Sequence, residues 1–244
     1  ADAEVKRITR KTNLAHIRWS LEDGGEIIIS TTRPELICAC GVVLVHPDDN
    51  RYRDMIGKTA RLPIKVKGRS DKVKILSHPS VKMEFGSGVL MVCSYGDQND
   101  VSVFRELKLE PFQAIDLEGR MTGIADQLEG MLVAEARSAA IEMLSSDGRL
   151  EGLEEREQEI PVSERGENPI EIILLKEWYV KQVGIQERLE QLTHEIRFIP
   201  ERNKQLLLDW MENISIDWPI SRRRWYHTEI PIWYTDDDKV LIVP

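Results

Sequence analysis

The sequence predicts an α+β fold, mainly β in its first part, where short strands close as a compact barrel-like domain with inserted helices and a helical segment follows. Three observations predict it. Short apolar runs separated by turn residues dominate residues 1–160. Two stretches among them, near 99–107 and 130–145, repeat apolar residues at helical spacing. Later, two amphipathic stretches near 185–196 and 201–214 predict two more helices.

The strands are predicted from the apolar runs and from the turns between them. Residues 17–21 and 26–30 flank Asp23-Gly24-Gly25, and glycine accepts the positive φ that a tight hairpin turn needs. Further apolar runs predict strands at 42–45, 60–66, 73–76, 89–93 and 170–175. Residues 160–166 are typical of an irregular linker. We therefore expect one domain over 1–160, followed over 161–244 by a linker, the two helices and a closing segment rich in Trp and Arg.

Composition sets limits on the class of protein. The chain has 244 residues, is 41% hydrophobic and contains no apolar run long enough to span a bilayer. It also opens without a charged-then-apolar leader, so we expect a cytoplasmic protein with no membrane partner. The three cysteines, Cys38, Cys40 and Cys93, are odd in number and lack zinc spacing. They predict buried free thiols and no metal site.

The charge is unevenly distributed along the chain. A net charge of −9 opposes binding to a polyanion unless the contact is local. Residues 58–74 are strongly basic, and their candidates for phosphate contacts are Lys65, Lys67, Arg69 and Lys72. A solvated face is the alternative interpretation of this segment. The acidic run 151–159 predicts such a face, whereas the cluster 222–227, Arg-Arg-Arg-Trp-Tyr-His, is similar to a nucleic-acid motif.

Two polar motifs predict one functional site. Thr31-Thr32-Arg33-Pro34-Glu35 follows the apolar run 26–30 and supplies two hydroxyls, a guanidinium and a carboxylate. Gly86-Ser87-Gly88 leads through the run 89–93 to Asp97-Gln98-Asn99-Asp100, which places two carboxylates at a predicted helix start. Together these groups could hold an ammonium, an ester carbonyl and a ribose.

These motifs resemble a known family. The segments Thr31–Glu35, Val45–Asp49, Glu84–Gly88, Asp97–Asp100 and Asp217–Arg223 resemble, in this order, the editing insertion of class I aminoacyl-tRNA synthetases, most closely its archaeal valyl branch. Isoleucyl enzymes usually carry Thr-Thr-Thr-Pro-Trp at the first motif, and leucyl enzymes carry Asp at the place of Glu35. The ATP signatures of the class occur nowhere in these residues. The resemblance therefore implies a fragment that contains the editing insertion and the return into the catalytic Rossmann domain.

The resemblance also implies a reaction. Valine and threonine are nearly isosteric, and an apolar pocket rejects an added hydroxyl poorly, a limit for which valyl enzymes are themselves the standard example. An editing site would hydrolyse threonine from valine tRNA without a cofactor, whereas ATP and magnesium would serve the parent enzyme's synthetic site. Expected partners are the 3′ end of the tRNA and the rest of the synthetase, in a monomer. A non-catalytic tRNA-binding or structural fragment, or an isoleucyl editing domain, are the alternatives.

Roles for individual residues follow from the resemblance. Asp100 would hold the substrate's α-ammonium, or serve only as a first-turn acid of the helix. Asp97 would accept the threonine hydroxyl, or cap the helix. Thr31 and Thr32 would bind the ester carbonyl, the ribose or the attacking water, or satisfy a strand end. Arg33 would clamp a phosphate or anchor Glu35.

The remaining substrate contacts are expected around these residues, from Glu35, Ser94, Tyr95, Gly86, Ser87 and Gly88. The chain departs from the bacterial pattern at four positions, where Met91, Cys93, Gly96 and Leu36 replace Lys, Thr, His and Thr. Fewer polar groups then remain to recognise the threonine hydroxyl, so Asp97, Ser94 or Tyr95 would have to do so. No Ser-His-Asp or Cys-His arrangement is evident in the sequence.

Overall fold

The computed structural model describes residues 5–214, 217–221, 228–237 and 239–242. The cluster 222–227, predicted above to be similar to a nucleic-acid motif, lies outside the described residues, as does part of the closing segment. The chain divides into two compact units, Ala1–Leu174 and Leu175–Pro244. The first unit contains both motifs of the predicted site.

Over residues 5–174, the first unit combines seven strands with two α-helices. The strands are β1 (Val5–Ser20), β2 (Glu26–Thr31), β3 (Cys40–Val45), β4 (Thr59–Arg61), β5 (Lys72–Ser77), β6 (Val89–Cys93) and β7 (Leu150–Ser163). The α-helices are α1 (Gln98–Glu106) and α2 (Val133–Ser146). Short 3₁₀ helices occupy Pro34–Ala39, Arg53–Met55 and Gly123–Leu128. Both predicted helices are confirmed.

Strands β2, β1 and β7 form one antiparallel sheet in that order. The predicted hairpin is confirmed, with Ala15 opposite Thr31 and Ser20 opposite Glu26. Strand β1 extends further back than predicted because its basic first half pairs with acidic β7 as far as Val5 opposite Ser163. The prediction of an irregular linker at 160–166 is therefore wrong for its first four residues, which continue β7. Cross-strand pairing of opposite charges stabilises such a ribbon without an apolar run.

Strands β4, β5, β3 and β6 form a second, mixed sheet in that order, in which only β3 and β5 run parallel. The strands predicted at 42–45, 73–76 and 89–93 are confirmed, whereas the one at 60–66 ends at Arg61. Pro63 follows closely, and proline has no N–H to donate to a strand ladder. The strands of the described residues thus form separate sheets, and the predicted closed barrel is not observed.

The core lies between the two sheets and beneath α2. Its largest members include Trp19, Ile29 and Ile75, which are fully buried. A second apolar cluster lies on the other face of the mixed sheet, where Val103 and Phe104 of α1 pack on β3 and β6. A Cβ atom on Gly41 would lie 2.4 Å from the Phe104 ring, so glycine at this point of β3 lets α1 approach closely. Packing of α1 fixes the helix start that carries the aspartates.

The apolar run 170–175 is not a strand, contrary to the prediction. Among the described residues it is held by single contacts, such as the Ile170 N–H donated to the Pro161 carbonyl at 3.1 Å. Ile173 packs against the core of the first unit. The run is apolar because its side chains are partly buried, and apolarity alone does not establish a strand ladder.

In its described residues, the second unit contains two helices and four short strands. The helices are α3 (Gln186–Thr193) and α4 (Asn203–Glu212), which confirm the helices predicted near 185–196 and 201–214. The strands form two antiparallel pairs, β8 (Tyr179–Val180) with β9 (Trp218–Pro219) and β10 (Ile232–Tyr234) with β11 (Val240–Ile242). No helix in the described residues is long and apolar enough to cross a bilayer.

Candidate active site

The first motif turns away from the sheet where β2 ends. The Thr31 hydroxyl accepts the Arg33 N–H at 3.0 Å, which fixes the turn. Pro34 then opens the 3₁₀ helix Pro34–Ala39. Thr31, Thr32 and Arg33 are all partly buried. The turn therefore presents two hydroxyls at the strand end, one of which is already engaged as an acceptor.

The second motif is a tight acidic turn between β6 and α1. Asp97 is the N-cap of α1, and its carboxylate accepts the Asp100 N–H at 2.8 Å. Asp100 lies in the first turn and accepts the Cys93 N–H at 3.1 Å. A Cβ atom on Gly96 would lie 2.2 Å from an Asp100 carboxylate oxygen, so the absent side chain leaves the space that this carboxylate occupies. The turn directs both carboxylates to the start of one helix.

Asp100 has an unusual electrostatic environment. Burial, reinforced by the neighbouring Asp97 carboxylate, raises the pKa of Asp100 to about 8. The Cys93 N–H and the more distant guanidinium of Arg33 oppose this shift but are weaker. A carboxyl group with so little compensation is a candidate for binding a cation.

Glu35, in contrast, is completely compensated by guanidinium groups. It is 0% exposed. Arg33 donates to it through Nε at 2.9 Å, and Arg137 of α2 donates through Nη2 at 2.8 Å and through Nε to both oxygens at 3.1 Å. Arg33 also donates to Glu171 through Nη2 at 2.6 Å. Of the two contacts predicted for Arg33, the ion pair with Glu35 is present in the structure.

The pKa of Arg33 reflects this pairing. Burial alone would lower it, but Glu35 and Glu171 together raise it, so the guanidinium stays charged. Sequence reasoning missed Arg137 and Glu171, which lie 102 and 138 residues from their partners along the chain. The only available signal was indirect, since a carboxylate in an apolar segment requires a basic partner from elsewhere.

The Gly86-Ser87-Gly88 loop is attached to β2. The Ser87 N–H donates to the Ser30 hydroxyl at 3.0 Å, and the Tyr52 hydroxyl donates to the Ser87 carbonyl at 2.7 Å. Gly86 has a φ of 56°, and a Cβ atom there would lie 2.6 Å from Ser30. Glycine is therefore required where this loop meets the strand that leads to Thr31.

A serine, a histidine and a glutamate also lie in line on β2, β1 and β7, an arrangement the sequence did not reveal. His16 Nδ1 is 2.8 Å from the Ser30 hydroxyl, and its Nε2 is 3.7 Å from Glu154. However, Ser30 is 8% exposed and its oxygen accepts the Ser87 N–H. A covered serine cannot attack an ester, so the arrangement holds the loop in place.

A small pocket, with room for about one water molecule, opens beside the acidic turn. Its wall includes Leu36, Ser94, Tyr95, Gln113 and Ile173. The Ser94 hydroxyl accepts a hydrogen bond from the Phe112 N–H at 2.8 Å. Tyr95 adopts a left-handed backbone conformation, with a φ of 59°. The pocket wall is thus mostly apolar with a few polar groups, and a ligand larger than water would have to widen the pocket.

The four predicted phosphate contacts differ in availability. Lys65 is exposed. Lys67 lies 3.4 Å from both Asp126 and Glu129, and Lys72 pairs with Glu22. Arg69 faces inward, where it donates to the carbonyls of Cys38 and Cys40 at 3.0 and 2.7 Å and stacks on Phe112 at 3.9 Å.

The cysteines are buried and free, as predicted. Burial raises the pKa of the Cys38 thiol to about 12 and raises that of Cys93 as well, which disfavours the nucleophilic thiolate. Among the residues that the structure describes, no group of three or more His, Cys, Asp or Glu side chains is placed to hold a metal ion.

Comparison with known proteins defines the class. A family model described as tRNA synthetases class I (I, L, M and V) matches residues 1–243. The chain therefore belongs to the class I tRNA synthetases.

Within this family the chain is similar to archaeal valine–tRNA ligases. It is 46% identical over 235 residues to that of Nanoarchaeum equitans, covering 96% of this chain and 30% of the relative. Identity is 38% with that of Aeropyrum pernix, over 100% of this chain and 29% of the relative. It is 41% with that of Methanocaldococcus jannaschii, over 96% and 26%. The chain thus spans less than a third of the length of these relatives.

Proposed function

We propose that the first unit is a post-transfer editing domain that hydrolyses the ester of threonine attached in error to valine tRNA. The observation that carries the proposal is the poorly compensated carboxylate of Asp100, which is within electrostatic reach of Arg33, the residue that follows Thr32. Membership of the class I synthetases and similarity to valine–tRNA ligases support the choice of substrate.

Asp100 would bind the α-ammonium of the aminoacyl group. At neutral pH its raised pKa keeps much of the free carboxyl protonated. An incoming ammonium supplies the missing positive charge, favours ionisation and forms a charge-assisted hydrogen bond. The contact fixes the ester next to the turn at Thr31 and Thr32.

Asp97 and the adjacent pocket would select threonine over valine. One Asp97 oxygen caps α1, but a carboxylate offers about four acceptor positions in all. Asp97 is exposed and can therefore accept the hydroxyl that valine lacks. Tyr95, Ser94 and Gln113 provide further polar atoms in an otherwise apolar wall. In a pocket widened by the bound ligand, valine would leave those groups unpaired.

Hydrolysis would depend on the position of a water molecule. The Thr31 oxygen accepts the Arg33 N–H, and its own proton stays available to donate. The hydroxyls of Thr31 and Thr32 can thus orient the ester carbonyl and the attacking water. Water adds to the carbonyl carbon, the ribose oxygen leaves with a proton, and free threonine is released. We propose that this reaction requires no cofactor.

The tRNA would approach over the exposed side of the loop. Phe85 is 45% exposed, and Arg156 of β7 lies 4.4 Å from its ring centroid. An aromatic ring beside a guanidinium can stack on a base and pair with a phosphate. Lys65 offers a further cation for the tRNA backbone. The other proposed partner is the rest of a synthetase. We propose that the whole enzyme is a monomer and that it acts in the cytoplasm, where tRNA is charged.

The test is the rate of ester hydrolysis by this chain with threonyl-tRNA and valyl-tRNA, both on valine tRNA. The proposal predicts faster loss of threonine than of valine. Loss at the uncatalysed rate, together with retained tRNA binding, would instead support a non-catalytic binding module, which the apolar Leu36 in the pocket wall favours. The same hydrolysis assay on isoleucine tRNA charged with valine would test the alternative of an isoleucyl editing domain, which should release valine from it.

A further inference from the structure

We propose that Arg137 is a positioning residue for the candidate active site: through Glu35 it fixes the orientation of the Arg33 guanidinium at the end of β2. Arg137 belongs to α2, and among the described residues its guanidinium hydrogen-bonds to Glu35. The effect of Arg137 on the hydrolysis rate rests on the editing function proposed above. Its effect on the titration of Asp100 in the free protein does not.

The geometry of Arg137 is that of a forked ion pair. Its Nε and Nη2 atoms donate to the Glu35 carboxylate at 2.8–3.1 Å. Such forked, charge-assisted pairs fix both partners in orientation as well as distance. Because Glu35 is fully buried, its carboxylate is held mainly by the guanidiniums that reach it.

Arg33 is shared between two carboxylates because Arg137 is present. It donates only Nε to Glu35, at 2.9 Å, which leaves Nη2 for Glu171 at 2.6 Å. Without Arg137, Arg33 would be the one guanidinium among the described residues that still contacts the buried carboxylate of Glu35. A fork toward Glu35 would then be the more favourable arrangement, and it would require the guanidinium of Arg33 to rotate away from Glu171.

Rotation of Arg33 would reach the candidate catalytic groups in two ways. Arg33 follows Thr32 directly and holds the turn through its N–H to Thr31. Its charge also acts on Asp100, which faces Asp97, the Cys93 N–H and the buried Cys93 thiol as well. Of these groups, Arg33 is the cation, so its displacement makes Asp100 harder to ionise.

The first test needs no substrate. The carboxyl signals of ¹³C-labelled aspartates are followed against pH by NMR in the wild-type chain and in Arg137→Gln, with Asp100→Asn to assign the signal. The proposal predicts an upward shift of the Asp100 midpoint by about half a unit in Arg137→Gln. The control is Arg53→Gln, which removes the same charge from an exposed position and should leave the midpoint unchanged.

Arg137→Lys provides a second variant in case the glutamine variant does not fold. Lysine keeps the charge but cannot form the fork, so Arg33 should still reorient and the Asp100 midpoint should rise by a smaller amount. An unchanged midpoint in a folded variant of either kind would overturn the proposal.

The second test uses threonyl-tRNA. The rising limb of the pH–rate profile for kcat/KM should move upward with the NMR midpoint in Arg137→Gln, and its position does not depend on the fraction of folded protein. A chain that hydrolyses nothing would contradict the editing function but leave the NMR result valid. Hydrolysis with an unmoved limb would contradict the role of Arg137 alone.

Discussion

Glu35 and Asp100 are two carboxylates of the same unit with opposite surroundings. Glu35 is fully buried and receives four hydrogen bonds from two guanidiniums. Asp100 lies beside a second carboxylate, and the hydrogen bond it accepts comes from a main-chain N–H. The protein neutralises the first charge itself and leaves the second for something else to neutralise.

The difference separates a structural group from a candidate functional one. A buried carboxylate with matched cations stabilises the place where the chain turns from β2 into its 3₁₀ helix. A carboxylate with a raised pKa and little compensation costs stability, and such a cost persists when it serves binding or catalysis. Four predictions test this contrast, beginning with the largest expected effect.

Asp100→Asn should reduce threonyl-tRNA hydrolysis by about a hundredfold or more, because the ammonium loses its ionic partner. The same substitution should make stability less dependent on pH. The wild-type folded state holds the Asp100 proton up to about pH 8, whereas an unfolded aspartate loses it near pH 4, so wild-type stability falls as pH rises between these values. Thermal melts at pH 5 and pH 9 measure this difference. A variant that retains wild-type hydrolysis would remove Asp100 from the mechanism.

Glu35→Gln should lower the free energy of unfolding by about 3 kcal/mol, because two guanidiniums lose the buried charge that they share. The matched control is Glu171→Gln, which affects one partner at a site with 18% side-chain exposure and should cost less. Urea denaturation of both variants gives the comparison. Equal losses would show that burial of Glu35 is not what distinguishes it.

Gly96→Ala should slow hydrolysis by about tenfold, because displacing the Asp100 carboxylate lowers the reaction rate far more than it lowers the stability of the protein. The new Cβ atom would lie 2.2 Å from the Asp100 carboxylate, which must turn away. Gly152→Ala is the control, because its Cβ would meet nothing closer than His16 at 4.0 Å. Steady-state kinetics and a thermal melt separate the two effects; full activity in Gly96→Ala would show that the present orientation of Asp100 is unimportant.

Lys65→Ala should weaken tRNA binding only two- to threefold and reduce the salt dependence by about one counterion. Arg69→Ala should behave in the opposite way. Arg69 supports the carbonyls of Cys38 and Cys40, so its loss should lower the melting temperature with little change in the salt dependence. Binding titrations at several salt concentrations distinguish the two. A larger salt effect for Arg69 would assign the phosphate contact to it instead.

The sequence predicted the parts of the fold that depend on local apolar patterns. The hairpin around Gly24 and Gly25 and the helices α1 and α2 follow from turn residues and helical spacing. The first half of β1 was missed because its pairing with β7 joins basic to acidic side chains, a pattern that equally describes a solvated surface. The run 170–175 was apolar for packing reasons and was wrongly assigned to a strand.

The candidate site was predictable only in its local parts. Asp97 and Asp100 share one helix start, so their proximity follows from spacing. The pairing of Glu35 with Arg137 joins residues 102 positions apart, and no local pattern encodes it. Likewise, the inward orientation of Arg69 depends on the Cys40 carbonyl of β3, which lies 29 residues away along the chain. Tertiary contacts of this kind decide which charges are compensated, and that is the property on which the proposed function depends.

The most direct test of the central claim removes the substrate's charge instead of the protein's. Hydrolysis of threonyl-tRNA would be compared with that of N-acetylthreonyl-tRNA, which has no ammonium, by the wild-type chain and by Asp100→Asn. We predict that acetylation slows the wild-type protein by about a hundredfold and has little further effect on Asp100→Asn, since both changes break one contact. Equal rates for both esters with the wild-type chain would contradict the account.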